Sequence, residues 1–210
     1  MARSLPVALS IAGSDCSSGA GLQADLKTFQ SFGVHGLTAV TCVVSETANI
    51  VRAVHPVPVG VVEDQISLLL DAFPIAAVKT GMLFSAAHVR AVAATLRGRG
   101  CKLVVDPVMI ASTGDALLEP DAVVAYETAL LPLATVITPN LPEAEALLGR
   151  NIPSLDDVEA AALELSAKYG TSVLLKGGHL PGNDCVDLLC ETSGTIHRFN
   201  SPRLDVAASH

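Results

Sequence analysis

Tryptophan is absent from the 210 residues, and Phe and Tyr together supply only 3%. Stacked rings therefore cannot fill the interior. Half of the residues are apolar nonetheless, mostly Ala, Val and Leu, which suits slender helices packed on a Val/Leu-rich sheet. That fraction is enough for burial to offset the entropy of ordering the backbone, whereas a disordered chain shows the opposite balance. No uninterrupted apolar run approaches the roughly 20 residues that span a bilayer. Residues 1–10 carry one Arg and no long apolar region before a cleavage site, so neither a membrane span nor a secretory leader is expected. Cations are scarce as well: 13 Lys and Arg against 21 Asp and Glu leave a net charge of −8. This excludes nucleic acid and anionic lipid as expected partners, since both need a basic face. Phosphates stay within reach of a few placed cations, backbone N–H groups or a metal. The five cysteines, Cys16, Cys42, Cys101, Cys185 and Cys190, form no CxxC pair, and the histidines show no zinc spacing. Reduced thiols in a cytoplasmic protein are the expectation. Cys16 stands apart because it lies in a Gly/Ser-rich stretch.

What the chain does contain is a repeated alternation. Short apolar runs at 7–12, 37–44, 76–79, 103–105, 136–138 and 173–176 read as strands of a sheet covered on both faces. Between them, Val59, Val62, Ile66, Leu69 and Leu70 recur at helical spacing, as do Val158, Ala161, Ala162 and Leu165. The second of these helices opens on Ser154-Leu155-Asp156-Asp157, a start resembling a capping box. Residues 86–97 and 121–131 complete the helix set. Strand and helix alternating in this way predict right-handed crossovers and a mostly parallel sheet in a single α/β domain. Residues 186–190 and 195–199, split by Glu191-Thr192-Ser193-Gly194, predict a β-hairpin. For an α/β domain the chain then stops without a closing helix.

In open parallel sheets ligands bind beyond the carboxyl ends of the strands, so the segments after each strand hold the candidate chemistry. The first is Gly13-Ser14-Asp15-Cys16-Ser17-Ser18-Gly19-Ala20-Gly21, leading into a helix. Its small residues allow backbone N–H groups to approach a ligand, or simply form a tight turn; neither GxGxxG nor GxxxxGK[ST] spacing is present. Glu46 follows the second strand, either as a solvated loop charge or as a bidentate acceptor for a ring nitrogen and amino group. Met82, in Lys79-Thr80-Gly81-Met82, offers an adaptable apolar wall or plain core. Asp106 ends a buried strand, where a carboxylate is costly without a metal, water or donor. The polar loop 110–116 after it reads as a flap. In Thr138-Pro139-Asn140-Leu141-Pro142-Glu143, Glu143 either complements a helix N-terminus or joins Asp106 and Asn140 around Mg²⁺, mostly through water. Lys176-Gly177-Gly178 places a cation and exposed N–H groups where phosphates would lie; His179 reads as a loop hydrogen-bonding residue.

Six collinear motifs carry a resemblance. They are Ala8-Leu9-Ser10-Ile11-Ala12-Gly13-Ser14-Asp15, Gly19-Ala20-Gly21-Leu22-Gln23-Ala24-Asp25-Leu26-Lys27-Thr28, Lys79-Thr80-Gly81-Met82-Leu83, Asp106-Pro107-Val108-Met109, Thr138-Pro139-Asn140-Leu141-Pro142-Glu143-Ala144 and Leu175-Lys176-Gly177-Gly178-His179. Together they resemble the hydroxymethylpyrimidine/phosphomethylpyrimidine kinases of thiamine biosynthesis, a branch of the ribokinase-like superfamily. The resemblance runs from Ser4 to His210. It implies a ribokinase-like three-layer sandwich over residues 1–210, with helices on both faces of a mostly parallel sheet. The implied activity is ATP- and Mg²⁺-dependent phosphorylation of 4-amino-5-hydroxymethyl-2-methylpyrimidine and then of its monophosphate. By position, Gly13, Asp25, Glu46 and Met82 would line the pyrimidine pocket. Asn140, Lys176, Gly177 and Gly178 would serve ATP, and Asp106 and Glu143 the metal. Relatives of this kind dimerise, which implies a homodimer.

The chain departs from the family pattern in several places. Glu46 replaces a usual Gln, while Ser112 and Ala207 each replace a common Lys. The family continues after a segment like Ser209-His210 into Gly-Thr-Gly-Cys, which forms the anion hole and carries the proposed catalytic base. No catalytic residue is therefore assigned within this chain, and the domain is expected to lack that motif and its final helices. Efficient phosphoryl transfer is not expected in this form, since each such donor is typically worth about 3–4 kcal/mol. Two alternatives stay open: a pyridoxal or pyridoxine kinase, and a pyrimidine-binding or regulatory module without catalysis.

Overall fold

β1 (Val7–Asp15) shows how the sheet is built. Leu9 and Ile11 point to one side and Ser10, Ala12 and Ser14 to the other, the two-residue alternation of extended chain, and nearly the whole strand is buried. The computed structural model describes residues 5–109, 120–178 and 184–204. It continues with α1 (Gly21–Ser31), β2 (His35–Thr47), β3 (Ile50–Pro56), α2 (Val59–Ala72), β4 (Ile75–Thr80), α3 (Ala86–Leu96) and β5 (Lys102–Val105). Then come α4 (Pro120–Ala125), β6 (Val136–Ile137), α5 (Leu141–Leu148), α6 (Leu155–Tyr169), β7 (Ser172–Leu175), β8 (Asp184–Cys190) and β9 (Ile196–Pro202).

Among the described residues the strands form one nine-stranded sheet in the order β3-β2-β1-β4-β5-β6-β7-β8-β9. The six strands from β2 to β7 in that order run parallel. β3 and β8 are antiparallel to their inner neighbours, and β9 closes a hairpin with β8. From β1 the chain winds outward to β2 and β3, returns through α2 to β4 on the other side of β1, and then winds away in the opposite direction. The reversal lies between β1 and β4, and at such a switch point a crevice opens beyond the strand ends.

One sheet face carries Leu9, Ile11, Val78, Val105, Ile137, Val173 and Leu175, within a core shared with Val62 and Ile66 of α2, Val89 of α3, Leu147 of α5 and Leu165 of α6. Each fully buried side chain of this size contributes about 1.5–3 kcal/mol. α1 lies on the opposite face, where Gln23 Nε2 donates to Ser14 Oγ at 2.7 Å and Ser10 Oγ donates to Asp25 Oδ2 at 2.5 Å. Helices thus cover both faces, as the alternation predicted.

Three local differences have physical reasons. β3 has no counterpart among the expected strands: it is a largely exposed outer strand broken by Arg52 and His55, so it shows no apolar run. β1 runs on to Asp15 because Gly13 and Ser14 are small enough to pack within the sheet rather than leave it. The helix expected at 121–131 changes pitch. α4 passes into a wider π turn over Tyr126–Leu130 and a tight 3₁₀ turn over Leu131–Leu133, where Pro132 has no N–H to continue the ladder. The expected flap at 110–116 with Ser112, and also His179 and Ala207, lie outside the described residues.

Candidate active site

The segment after β1 folds inward onto one carboxylate. Asp15, 2% exposed, accepts from Ser17 N at 2.7 Å, Gly19 N at 2.9 Å and Ala20 N at 2.8 Å, and from the Ser17 hydroxyl at 3.1 Å. Burial disfavours its charged form, but the donors from Ala20, Ser17 and Gly19 together outweigh that and hold its carboxyl below the usual range. Three of the N–H groups expected to face a ligand, those of Ser17, Gly19 and Ala20, are therefore committed to the Asp15 carboxylate. The turn winds directly into α1 at Gly21, whose φ of +58° and close approach to the Gly13 carbonyl leave no room for a Cβ. Gly13 is needed for its own reason: a Cβ there would sit 2.9 Å from Cys42 Sγ and 3.8 Å from Met82 Sδ. Gly13 and Met82 thus meet, and Thr41 Oγ1 fixes the Met82 carbonyl at 2.6 Å.

At the switch point itself, β1 and β4 pair Ser10 with Lys79, and Asp25 of α1 lies over both. Lys79 Nζ is 3.0 and 2.9 Å from the two Asp25 oxygens, and the side chains keep 25% and 18% of their exposure. Three protein hydrogen bonds occupy most of the roughly four acceptor sites of a carboxylate, which leaves Asp25 about one for a ligand. Lys79 Nζ also lies 3.1 Å from where a Cβ on Gly81 would be, so the pair reaches the strand end.

A second cluster spans the ends of β5, β6 and β7. Asn140 caps α5 by accepting from Glu143 N at 2.9 Å, while Glu143 Oε2 accepts from Asn140 N at 2.8 Å. This reciprocal box satisfies two helix-end donors, so Glu143 does serve the helix start. Asn140 also bridges to Lys176, whose N–H donates to the Pro139 carbonyl at 2.9 Å. Lys176 Nζ pairs with Asp106 Oδ1 at 2.9 Å. Exposure of 38% and 23% keeps such a pair worth at most about 1 kcal/mol, so its ammonium can exchange one anion for another at little cost. Glu143 is 2% exposed; burial, reinforced by the Asp106 charge, raises its carboxyl to about 7 against the opposing pull of the Asn140 N–H and Lys176. Beneath this cluster Tyr126 is fully buried, with its hydroxyl donating to the Gly81 carbonyl at 3.3 Å. Burial and the Asp106 and Glu143 charges push its phenol far up, so it stays a neutral donor. Gly81 N donates to the Ile11 carbonyl at 3.0 Å and Asp106 N to the Thr80 carbonyl at 3.0 Å. Gly81 thereby joins the two clusters along one rim.

Gly177 is required by a crossing. A Cβ there would run into the Val186 carbonyl, and the Gly177 N–H is donated to Asp187 Oδ1 at 2.9 Å. The exposed N–H group expected at Gly177 is thus spoken for. Gly178 offers its carbonyl to Arg203 Nη1 at 2.7 Å. Glu46 stands farther out on β2, beside a cleft of about 250 Å³ lined by Cys16, Ser45, Glu46, Thr47, Ile50 and Arg52. Its backbone exchanges contacts with Cys16: Glu46 N to Sγ at 3.3 Å and Sγ to the Glu46 carbonyl at 3.2 Å.

Asp106, Asn140, Glu143 and Lys176 form one cluster, Asp25 meets Lys79 at the neighbouring strand end, and Gly13 meets Met82. Glu46 is grouped with Cys16 instead. Sequence reasoning missed the roles of Lys79, Tyr126 and Asp187. A Lys closing the apolar run Ala76-Ala77-Val78 was a usable signal for the first; Tyr126 and Asp187 had none. Among the described residues no three His, Cys, Asp or Glu side chains converge as a metal cage. Asp106 and Glu143 do fit Mg²⁺ held in its usual way, by one or two carboxylates with waters and substrate phosphates supplying the remaining ligands.

Residues 15–210 match the family model described as phosphomethylpyrimidine kinase. A hydroxymethylpyrimidine/phosphomethylpyrimidine kinase of Rhizobium meliloti is 42% identical over 205 residues, covering 97% of this chain and 77% of that protein. A longer Schizosaccharomyces pombe protein is 47% identical over 189 residues, 87% of this chain, which spans only 34% of that protein's length. The crystal structure of phosphomethylpyrimidine kinase from Clostridium difficile 630 superposes with a TM-score of 0.85 at 38% identity, covering 92% of this chain and 84% of that one. An ADP complex of Bacillus subtilis pyridoxal kinase gives 0.88 at 36% identity, covering 99% and 78%. The fold is ribokinase-like, and the chain belongs to the phosphomethylpyrimidine kinase family.

Proposed function

We propose that this protein is an ATP-dependent kinase that phosphorylates 4-amino-5-hydroxymethyl-2-methylpyrimidine and its monophosphate in thiamine diphosphate biosynthesis. The observation that carries the reading is the gathering of Asp106, Asn140, Glu143 and Lys176 beside the switch point occupied by Asp25, Lys79 and Met82. Catalysis of phosphoryl transfer is mostly positioning plus charge neutralisation, and the chain's own residues divide that work. Gly13 and Met82 give the ring an apolar wall. Asp25, held by Ser10 and Lys79, presents one free acceptor position to the alcohol or amino group. Lys176, only lightly bound to Asp106, turns to the polyphosphate, and Asn140 stands beside it. Asp106 and Glu143 would hold Mg²⁺ largely through water, and the ion would neutralise phosphate charge. Glu46 reads the aminopyrimidine edge from β2. Titration calorimetry checks this: the pyrimidine alcohol and Mg·ATP should each bind saturably, with ADP competing against ATP alone. Absence of pyrimidine binding overturns the reading.

A second substrate, pyridoxal or pyridoxine, is favoured by two observations: the likeness to a pyridoxal kinase and the carboxylate of Glu46. Glu46→Gln should shift the ratio of pyrimidine to pyridoxine affinity if this side chain reads the ring; an unchanged ratio removes it from the pocket. A homodimer belongs to the same proposal, supported by Val43, Ile50 and Val51, which are 49%, 57% and 39% exposed on the outer β2–β3 ribbon. Light scattering should return the mass of two chains. ATP use and cysteines without a disulfide pattern support a cytoplasmic location, and no described helix is long and apolar enough to cross a membrane.

A further inference from the structure

The hairpin of β8 and β9 lies at the far end of the sheet from the pyrimidine residues, yet it makes specific polar contacts with the segment assigned to the nucleotide. β8 pairs antiparallel with β7, Leu175 opposite Leu188, and two residues further on the two chains touch backbone to backbone. Gly177 passes so close to the Val186 carbonyl that no side chain fits between them. Two side chains then fix the segment in polar terms. Asp187 Oδ1 accepts from Gly177 N at 2.9 Å, a charge-assisted bond to a backbone donor. Arg203, just past β9, donates Nη1 to the Gly178 carbonyl at 2.7 Å. On the other flank the Lys176 N–H is held by Pro139 and its ammonium by Asp106. Residues 176–178 are therefore clamped from both sides, by the β6–α5 junction and by the hairpin.

We infer that Asp187 and Arg203 are positioning residues for nucleotide binding, setting the course of residues 176–178 and so the place from which Lys176 reaches the polyphosphate. This rests on the kinase reading and deepens it. Neither residue need touch the nucleotide. Asp187 removes one N–H from the set available to phosphate while fixing the peptide that follows Lys176. Arg203 holds the next carbonyl turned toward the hairpin. Backbone held by a charged partner on each side keeps one path, and a binding group displaced by a fraction of an ångström loses much of its hydrogen bonding.

Titrating Mg·ATP and the pyrimidine alcohol separately into the whole chain and its Asp187→Ala, Arg203→Ala and Arg203→Lys variants tests this. Loss of the part-buried charge-assisted bond of Asp187 predicts about tenfold weaker nucleotide binding, and loss of the exposed Arg203 bond about threefold. Pyrimidine affinity should stay within about twofold, since the pyrimidine residues lie on β1, α1 and β2 and just past β4. Arg203→Lys, which keeps a cation able to reach the Gly178 carbonyl, should recover most of the loss. Nucleotide affinity unchanged in both alanine variants overturns the inference, as does an equal loss of both ligands. If Asp187→Ala fails to fold, the Arg203 pair decides alone, and a lysine variant no better than the alanine one is the overturning result. Failure of the unsubstituted chain to bind Mg·ATP overturns the kinase reading instead, and this inference with it.

Discussion

Replacing Glu143 with Gln isolates one titrating group without dismantling the helix start it serves. Gln at the third helical position can still accept from the Asn140 N–H, as it does in capping boxes generally, so the box survives and only the charge goes. In the folded protein burial raises the Glu143 carboxyl from 4.5 to about 7. A raised acid pKa means that the native state binds more protons than the unfolded state between those values, so stability falls as pH rises through that window. The shift corresponds to about 3 kcal/mol of stability that is present below pH 4.5 and lost by about pH 8. Urea denaturation at half-unit pH steps in EDTA, with the slope against denaturant held common, should show the variant gaining on the wild type by up to that amount. Added Mg²⁺, by favouring the ionised carboxylate, should flatten the wild-type curve. A difference between the two proteins that stays constant within about 0.5 kcal/mol from pH 5 to 8 refutes the claim that Glu143 is buried without adequate compensation.

Three further substitutions probe the rim. Lys79→Met should weaken pyrimidine binding about tenfold while changing stability by less than about 1 kcal/mol, because the Asp25 pair is partly solvated. A double-mutant cycle with Asp25→Asn should give a coupling in binding of at least about 0.5 kcal/mol, and additive effects would remove the pair from the pocket. Asp15→Asn should cost about 1–3 kcal/mol at pH 7 by weakening the bonds that shape the turn after β1. Since the Asp15 pKa is depressed below 3.8, its contribution is present above that value and lost as pH falls through the folded one. Wild type and variant should therefore converge as the pH is lowered below 3.8 in urea melts, and a gap that does not narrow at all however far the pH falls counts against an ionised Asp15.

The central strands were legible because residues buried on both faces must be apolar without interruption, a pattern that survives in one dimension. β3 was not, because a mostly exposed outer strand has no such requirement. The placement of Asp106, Asn140, Glu143 and Lys176 followed from the rule that chemistry trails parallel strands, and these four do meet. What the pattern hid was partnership. Asp25 and Lys79 are 54 residues apart and paired only by the winding of α1 over β1 and β4. Tyr126 looks like any core aromatic until a pitch change in its helix lets its hydroxyl meet the Gly81 carbonyl. The small residues from Gly13 to Gly21 suggested donors for a ligand, but donors can as well turn inward, and here Asp15 takes them.

The neighbouring glycines 177 and 178 look interchangeable as letters, yet they answer to different constraints. At 177 the Val186 carbonyl occupies the space that any side chain would need, whereas at 178 a methyl group would meet nothing within 4 Å. A saturation library across this pair should retain glycine alone at the first codon and admit alanine at the second. The tolerance of a sequence to drift is thus set, at this spot, by a strand residue that arrives nine positions later.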